Sequence, residues 1–238
     1  MSAVVPQAPD RSGWCRCWED NVYGQGRHLN RYPYHSVVGF VLTHFGPAAD
    51  RSTVRILELG FGAGNNLWFA AREGFSVAGI EGSPTAVAYA KRRFADEGLA
   101  GDMRVGDFAA LPWPNESFDM VLDRQALAHT TKATIVRALE ESHRVLKPRG
   151  RLLSIIYSDE HPGRACGTDR GHNDYDDFSD GYFAGLGTTH FATHREIDEL
   201  FGARFTVGSA VHTREEQTLH GEPHVSNAFW KVECVKET

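Results

Sequence analysis

The sequence contains no apolar run that approaches the roughly 20 residues needed to cross a bilayer. Its first residues also lack the basic stretch and the apolar stretch of a secretory signal peptide. These absences predict a cytoplasmic protein that does not associate with membranes. Cysteine is scarce, with four residues at Cys15, Cys17, Cys166 and Cys234, and in that compartment we expect reduced thiols.

An excess of basic residues is also missing. The 25 lysines and arginines are outnumbered by 31 aspartates and glutamates, and the formal net charge is −6. Because nucleic acids bind to basic stripes, we expect no nucleic acid partner. The twelve histidines show no H-E-x-x-H or H-x-H spacing, so no metal site is predicted. We predict the chain to be a monomer or a homodimer.

What the chain does contain is a glycine-rich turn between two apolar strands. Every second residue from Gly60 to Gly64 is glycine, directly after the predicted strand Val54–Leu57, so a ligand can lie against bare backbone. The G-x-G-x-x-G spacing of dinucleotide sites is absent, because Asn65 and Leu67 stand where a third glycine would fall. The pattern is instead E-x-G-x-G-x-G, which begins at Glu58.

Two acids flank this turn. Glu58 precedes the glycines, and a carboxylate there suits an ammonium or sulfonium ligand better than a pyrophosphate. Glu81 ends the second strand, where its carboxylate can accept both hydroxyls of a ribose. The strand–helix–strand layout is shared with NAD-dependent oxidoreductases, which remain an alternative.

Further motifs follow: Asp107 in M-R-V-G-D-F, then F-D-M-V-L-D at Phe118–Asp123, then L-K-P-R-G at Leu146–Gly150. With the glycine turn, they make residues 54–157 resemble the class I S-adenosylmethionine-dependent methyltransferases. The resemblance implies an α/β, Rossmann-like fold: a seven-stranded sheet in the order 3-2-1-4-5-7-6, helices on both faces and an antiparallel last strand. It also implies that S-adenosyl-L-methionine is the cofactor and S-adenosyl-L-homocysteine the product, with Glu81 at the ribose and Asp107 at the adenine amino group.

The resemblance places the cofactor at the glycine turn, at the acids after the strands and beneath an N-terminal cover. The expected cofactor-binding residues are Glu58, Gly60, Gly62, Gly64, Asn65, Glu81, Gly82, Ser83, Asp107, Phe108, Asp123, Tyr23 and Arg31. Because only a charge or a hydroxyl can satisfy the methionine carboxylate of the cofactor, we expect Tyr23, Arg27 or Arg31 to reach it.

Residues that leave the fourth predicted strand are the candidates for catalysis. Asp123, Arg124 and His129 follow this strand, and in an open parallel sheet ligands bind at the carboxyl ends of the strands. His129 is a candidate base, because the reference pKa of histidine lies near neutrality. The alternative is that His129 caps or packs against the next helix.

The length of 238 residues fits one α/β domain. We expect a flexible tail at 1–12 and a methyltransferase domain at 13–238, with a cover at 13–50 and a lid inserted at 158–191. The residues expected to face the acceptor are Tyr157, Tyr175, Tyr182, Phe183 and His190. The hypothesis is methyl transfer to an oxygen or nitrogen of a small molecule, and a cofactor-binding subunit without catalysis is a further alternative.

Overall fold

The computed structural model describes residues 13–218 and 224–237, and the predicted tail at 1–12 lies outside them. A seven-stranded sheet forms the centre of the molecule. Its strands are β1 Arg55–Leu59, β2 Ser76–Glu81, β3 Asp102–Val105, β4 Phe118–Arg124, β5 Leu146–Tyr157, β9 Thr206–Gln217 and β10 His224–Val235. Counted along this sheet alone, the order is 3-2-1-4-5-7-6, and the predicted Rossmann-like fold is confirmed.

The first five strands of the sheet are parallel, and β10 runs antiparallel to both β5 and the edge strand β9. In β1, Ile56, Leu57 and Leu59 have no exposed surface. A strand covered on both faces needs apolar side chains on both, which explains why the consecutive residues Ile56 and Leu57 are both apolar. The carboxyl ends of all five parallel strands therefore meet at one edge of the sheet.

Helices cover both faces of the sheet. One face packs against α2 His35–Phe45, α3 Asn65–Arg72 and α4 Pro84–Asp96, and the other packs against α5 Lys132–Val145 and α6 His194–Phe201. Side-chain capping determines where two of these helices begin. Ser83 accepts a hydrogen bond from the Ala86 amide before α4, and Thr193 and Glu196 form a capping box at the start of α6.

The segment inserted after β5 has more structure than a loop. It contains a small sheet of β6 Thr168–Asp169, β7 Asp174–Asp176 and β8 Thr189–His190. Phe183 and Phe191 have no exposed surface and join the core above α5 and α6. Burial of this many rings holds the segment against the domain, whereas the sequence predicts an irregular lid.

The N-terminal cover begins with the five-residue helix α1 Cys17–Asn21. Directly before it, Cys15 and Cys17 form a disulfide with a Cα–Cα distance of 5.2 Å. The expectation of a reduced thiol is wrong for this pair, because the turn into α1 brings the two Cα atoms within disulfide range. Cys166 and Cys234 are free thiols. Across the described residues, none of the helices combines the length and apolarity required of a membrane span.

Candidate functional site

A cavity that is open to solvent lies at the carboxyl ends of β1, β2 and β4. In open α/β sheets this edge, where the order of connections reverses, is the usual ligand site. Its floor is the loop between β1 and α3 together with the end of β2, its roof is the N-terminal segment, and its third side is the chain that leaves β4. We describe each side in turn.

The floor depends on backbone that only glycine adopts easily. Gly60, Gly62 and Gly64 have φ values of 57°, 53° and 72°, all in the left-handed region. A Cβ on Gly62 would also lie 2.5 Å from the hydroxyl oxygen of Tyr23 in the roof. Gly62 is therefore required both by its own conformation and by the close approach of a second element.

Glu81, at the end of β2, is held by the backbone around it. Its two oxygens accept hydrogen bonds from the Gly62 and Ser83 amides, each at 2.9 Å. Burial raises the pKa of this carboxyl above its usual value, although the amides of Ser83, Gly62 and Gly82 act in the opposite direction. Each oxygen retains further acceptor capacity, so the group can receive two ligand hydroxyls without rearrangement.

Glu58, at the end of β1, is only half satisfied. Its Oε1 atom accepts a hydrogen bond from the Asn66 side chain at 2.7 Å, whereas Oε2 is buried with no partner among residues 13–218 and 224–237. Burial raises the pKa of Glu58 to about 8. A buried acceptor without a partner is costly. An ammonium group in the cavity would satisfy it, so the site fits the amino group of the S-adenosylmethionine methionine moiety.

The roof comes from the N-terminal segment. Gly13, Trp14, Trp18, Tyr23, His28 and Asn30 all line the cavity. Trp18 contacts Tyr23 and His28, with ring centroids 6.2 and 6.5 Å apart. Arg27 and Arg31 are exposed and do not line the cavity. Of the three residues predicted to reach the methionine carboxylate, only Tyr23 lies at the site.

The chain that leaves β4 turns sharply into the cavity. Arg124, Gln125, Ala126 and His129 line it, and the Arg124 guanidinium lies over the Tyr34 ring, 4.0 Å from its centroid. Gln125 has a φ of 66°, which is uncommon for a residue with a side chain. Its amide donates to the Ile155 carbonyl, so a tertiary hydrogen bond supports this conformation.

His129 is buried and contacts several rings. Its centroid lies 4.7 Å from that of Trp18 and 5.6 Å from that of Tyr157, and Nδ1 lies 3.3 Å from the Thr189 hydroxyl. Burial, followed by the charges of His28 and Arg124, lowers the pKa of His129 to about 3. The imidazole is therefore neutral at physiological pH and is a weak base there.

Asp123, predicted as a catalytic and cofactor residue, does not line the cavity. Its Oδ1 atom accepts from the Ala126 and Leu127 amides at 2.9 and 3.1 Å, and Oδ2 accepts from the Ser154 hydroxyl at 2.6 Å. Desolvation raises the pKa of Asp123 to about 6. Its oxygens are engaged in shaping the turn that presents Arg124 and His129.

Other expected site residues also lie away from the cavity wall. Gly64 begins α3, Ser83 caps α4, and Asp107 accepts a hydrogen bond from the Gly13 amide at 2.9 Å. Of the five lid residues only Tyr182 lines the cavity, whereas Tyr157, Tyr175, Phe183 and His190 are buried behind it. His190 is bonded to Asp174 at 2.8 Å. These side chains hold the insertion in place, because the rings pack together as core.

Some cavity residues were not among the predicted site residues. They are Gly13, Trp14, Cys15, Trp18, His28, Asn30, Tyr34, Phe61, Ala63, Asn66, Gln125 and Ala126. The aromatic density of residues 14–33 was a signal for the roof, although not for its individual residues. Among the residues that the structure describes, none are grouped as three or more candidate metal ligands.

Comparison with known proteins agrees with this geometry. The sequence model of the "Methyltransferase domain" family matches residues 56–150. An uncharacterized methyltransferase of Bacillus subtilis is 33% identical over 115 residues, which cover 48% of this chain and 47% of the relative. A demethylmenaquinone methyltransferase of Thermus thermophilus is 35% identical over 113 residues, 46% of this chain and 50% of the relative. The alignments thus span about half the length of these relatives.

Solved structures extend the similarity of the fold to the whole chain. The 1,6-didemethyltoxoflavin-N1-methyltransferase of Burkholderia thailandensis, solved with 1,6-didemethyltoxoflavin and S-adenosylhomocysteine, superposes with a TM-score of 0.69. The superposition covers 100% of this chain and 94% of that one, at 16% identity. The family match shows a methyltransferase domain over residues 56–150, and the strand order and the glycine floor are those expected of a class I S-adenosylmethionine-dependent methyltransferase.

Proposed function

We propose that the chain is an enzyme that transfers the methyl group of S-adenosylmethionine to an oxygen or nitrogen atom of a small-molecule acceptor. The observation that carries this proposal is the shared cavity. The carboxyl groups of Glu58 and Glu81 line one side of it, and Arg124 and the neutral imidazole of His129 line the other. Cofactor and acceptor would therefore meet inside one cavity.

A flat acceptor fits the second side. Trp18, His28, His129 and Tyr182, here called the ring wall, contact one another with centroid separations between 4.7 and 6.5 Å. Tyr182 is 52% exposed, which places it at the rim where an acceptor enters. Rings stack favourably on flat π systems. The Thermus and Burkholderia relatives are named for a demethylated menaquinone and for 1,6-didemethyltoxoflavin, which also supports a small-molecule acceptor.

The low pKa of His129 bears on the chemistry. The sequence predicts a base at this position, but a group with a pKa of about 3 removes a proton poorly at neutral pH. We therefore assign His129 to orienting the acceptor within the ring wall. The acceptor would arrive with an available lone pair, either on the anion of an acidic hydroxyl or on a ring nitrogen.

Arg124 supplies the positive charge on this side. In the cavity its guanidinium favours an acceptor oxygen in the anionic form, which is the nucleophilic form. Bound S-adenosylmethionine would supply an electrophilic methyl group, and the electrons of the broken carbon–sulfur bond would remain on sulfur. The chain would contribute orientation, which is worth roughly 7–11 kcal/mol in favourable cases.

The test is methylation of a panel of phenols, enols and nitrogen heterocycles with graded pKa values, followed by mass spectrometry. The rate should follow the ionisation of each acceptor, without an inflection near the usual histidine pKa. Arg124→Ala should lower kcat/KM on the order of tenfold or more for anionic acceptors, and the exposed Arg195→Ala should not. Cofactor binding without turnover of any panel member would favour the alternative of a non-catalytic subunit.

A further inference from the structure

The start of the N-terminal segment is anchored across the ends of β2 and β3. The Gly13 amide donates to Asp107 Oδ1 at 2.9 Å. The Glu19 carboxylate accepts hydrogen bonds from the hydroxyls of Ser83 and Thr85, and these bonds lower its pKa. Trp14 lies between these two anchors, so its position in the cavity is held from both sides.

Trp14 lies directly against Gly82. A Cβ built on Gly82 would stand 1.8 Å from the Cε3 atom of the indole and 2.2 Å from its Cδ2 atom. Gly82 does not have a positive φ, so its backbone alone would accept any side chain. The glycine at position 82 is therefore explained by the indole, which fills the space that a side chain there would occupy.

Gly13 makes a similarly close contact with the loop after β3. A Cβ on Gly13 would lie 2.4 Å from the Phe108 ring and 2.5 Å from Asp107 Oδ1, and Gly13 is likewise not at positive φ among the described glycines. Two glycines with ordinary backbone thus allow the segment to come close to the loops after β2 and β3. Gly82 directly follows Glu81. Both residues line the cavity, and so do Trp14 and Phe108.

We propose that Trp14 forms the aromatic wall of the adenine subsite, in place of the side chain that Gly82 lacks. The inference rests on the cofactor of the family and on Glu81 as the ribose-binding acid. A base stacked on the indole would gain what aromatic platforms provide to nucleobases in other proteins. The N-terminal segment is then part of the cofactor site as well as its cover.

Calorimetry with S-adenosylhomocysteine and with adenosine tests this assignment. Trp14→Ala should weaken both ligands by the same factor, on the order of tenfold or more, because the loss is confined to the adenosine half. Trp14→Phe should retain most of the affinity. Tyr32→Ala is the matched control, since Tyr32 is 73% exposed and does not line the cavity.

A second variant distinguishes loss of the Trp14 indole from a general effect on folding. In the double variant Trp14→Ala/Gly82→Leu, an apolar side chain enters the vacated space, and adenosine affinity should partly recover relative to Trp14→Ala. Unchanged or tighter binding by Trp14→Ala would overturn the inference, since tighter binding is what removal of an obstructing plug would produce. Absence of binding by the wild-type protein would instead overturn the cofactor assignment together with it.

Discussion

At the scale of single residues, burial determines the protonation state of Glu58. Its carboxyl is buried beside Asp123 and Glu81, whose charges add to the desolvation that raises its pKa to about 8. The usual value is 4.5. Between these two values the folded protein binds a proton at Glu58 that the unfolded chain does not bind, so stability from this group decreases as pH rises.

Binding of a cationic amino group beside Glu58 should favour the deprotonated carboxylate. At pH 7 we expect S-adenosylhomocysteine to displace a proton from Glu58, because an adjacent positive charge lowers the pKa of a carboxyl. Calorimetry in buffers of different ionisation enthalpy would measure that proton. Glu58→Gln should abolish the release, and equal proton release by wild type and variant would contradict the prediction.

His161 is a second buried titrating group, within the insertion after β5. Its Nδ1 atom accepts a hydrogen bond from the Gly163 amide at 3.0 Å, and its ring packs on Tyr157 and Phe183. Desolvation lowers the pKa of His161 from 6.5 to about 4. Stability from this neutral imidazole is present above pH 6.5 and is lost as pH falls through about 4.

We therefore predict that His161→Gln makes the free energy of unfolding less sensitive to acid between pH 6.5 and 4. Denaturant titrations at several pH values would measure the slope. His35→Gln is the control, because His35 is exposed at the start of α2. Identical slopes for wild type and His161→Gln would show that His161 does not hold this low pKa.

At the scale of elements, the turn after β4 is built around Asp123. The carboxylate joins two amides of the turn to the hydroxyl of Ser154 on β5. The sequence identified this position as functional because it ends a parallel strand. Its partners could not be read from the sequence, since Ser154 lies on another strand.

Asp123→Ala should destabilise the fold by about 2–4 kcal/mol, because it leaves the buried amides and the Ser154 hydroxyl without their acceptor. Thermal or denaturant unfolding would measure the loss. Asp96→Ala, at an exposed position at the end of α4, should change stability by less than about 0.5 kcal/mol. A stable Asp123→Ala variant with lost turnover would instead return Asp123 to a catalytic role.

At the scale of the whole molecule, both segments added to the seven-stranded sheet meet at the edge where the parallel strands end. The N-terminal segment contacts the insertion directly: the Asn21 side chain donates to the Gly185 carbonyl at 2.9 Å, and His28 contacts Tyr182. The site is therefore enclosed by parts of the chain that lie far apart in sequence. Cofactor binding should therefore stabilise the folded chain as a whole.

S-adenosylhomocysteine at about 100 times its Kd should contribute about 2.7 kcal/mol to stability. For a chain of this size that corresponds to an increase in Tm of about 5–10 °C. Differential scanning fluorimetry would measure it, with NAD at the same concentration as the comparison. A shift with NAD and none with S-adenosylhomocysteine would support the dinucleotide alternative instead.

The sequence by itself determined the fold and the floor of the site. The glycines from Gly60 to Gly64, Glu58 and Glu81 belong to one strand–turn–helix–strand unit, and in such a unit local backbone geometry decides which atoms face the ligand. The glycine turn and its two acids depend on neighbours in sequence, and for that reason they could be predicted. The sheet order was instead implied by the resemblance of residues 54–157 to the class I methyltransferases.

Only the tertiary structure decided how the other two sides are formed. The Trp14 indole packs against Gly82, the His129 imidazole is neutral, and Asp123 accepts a hydrogen bond from Ser154. All three follow from packing between segments that are distant in the chain. The insertion after β5 buries most of the rings that the sequence pointed toward an acceptor. Burial and long-range contact set the charge state and direction of these side chains, and neither is encoded in local spacing.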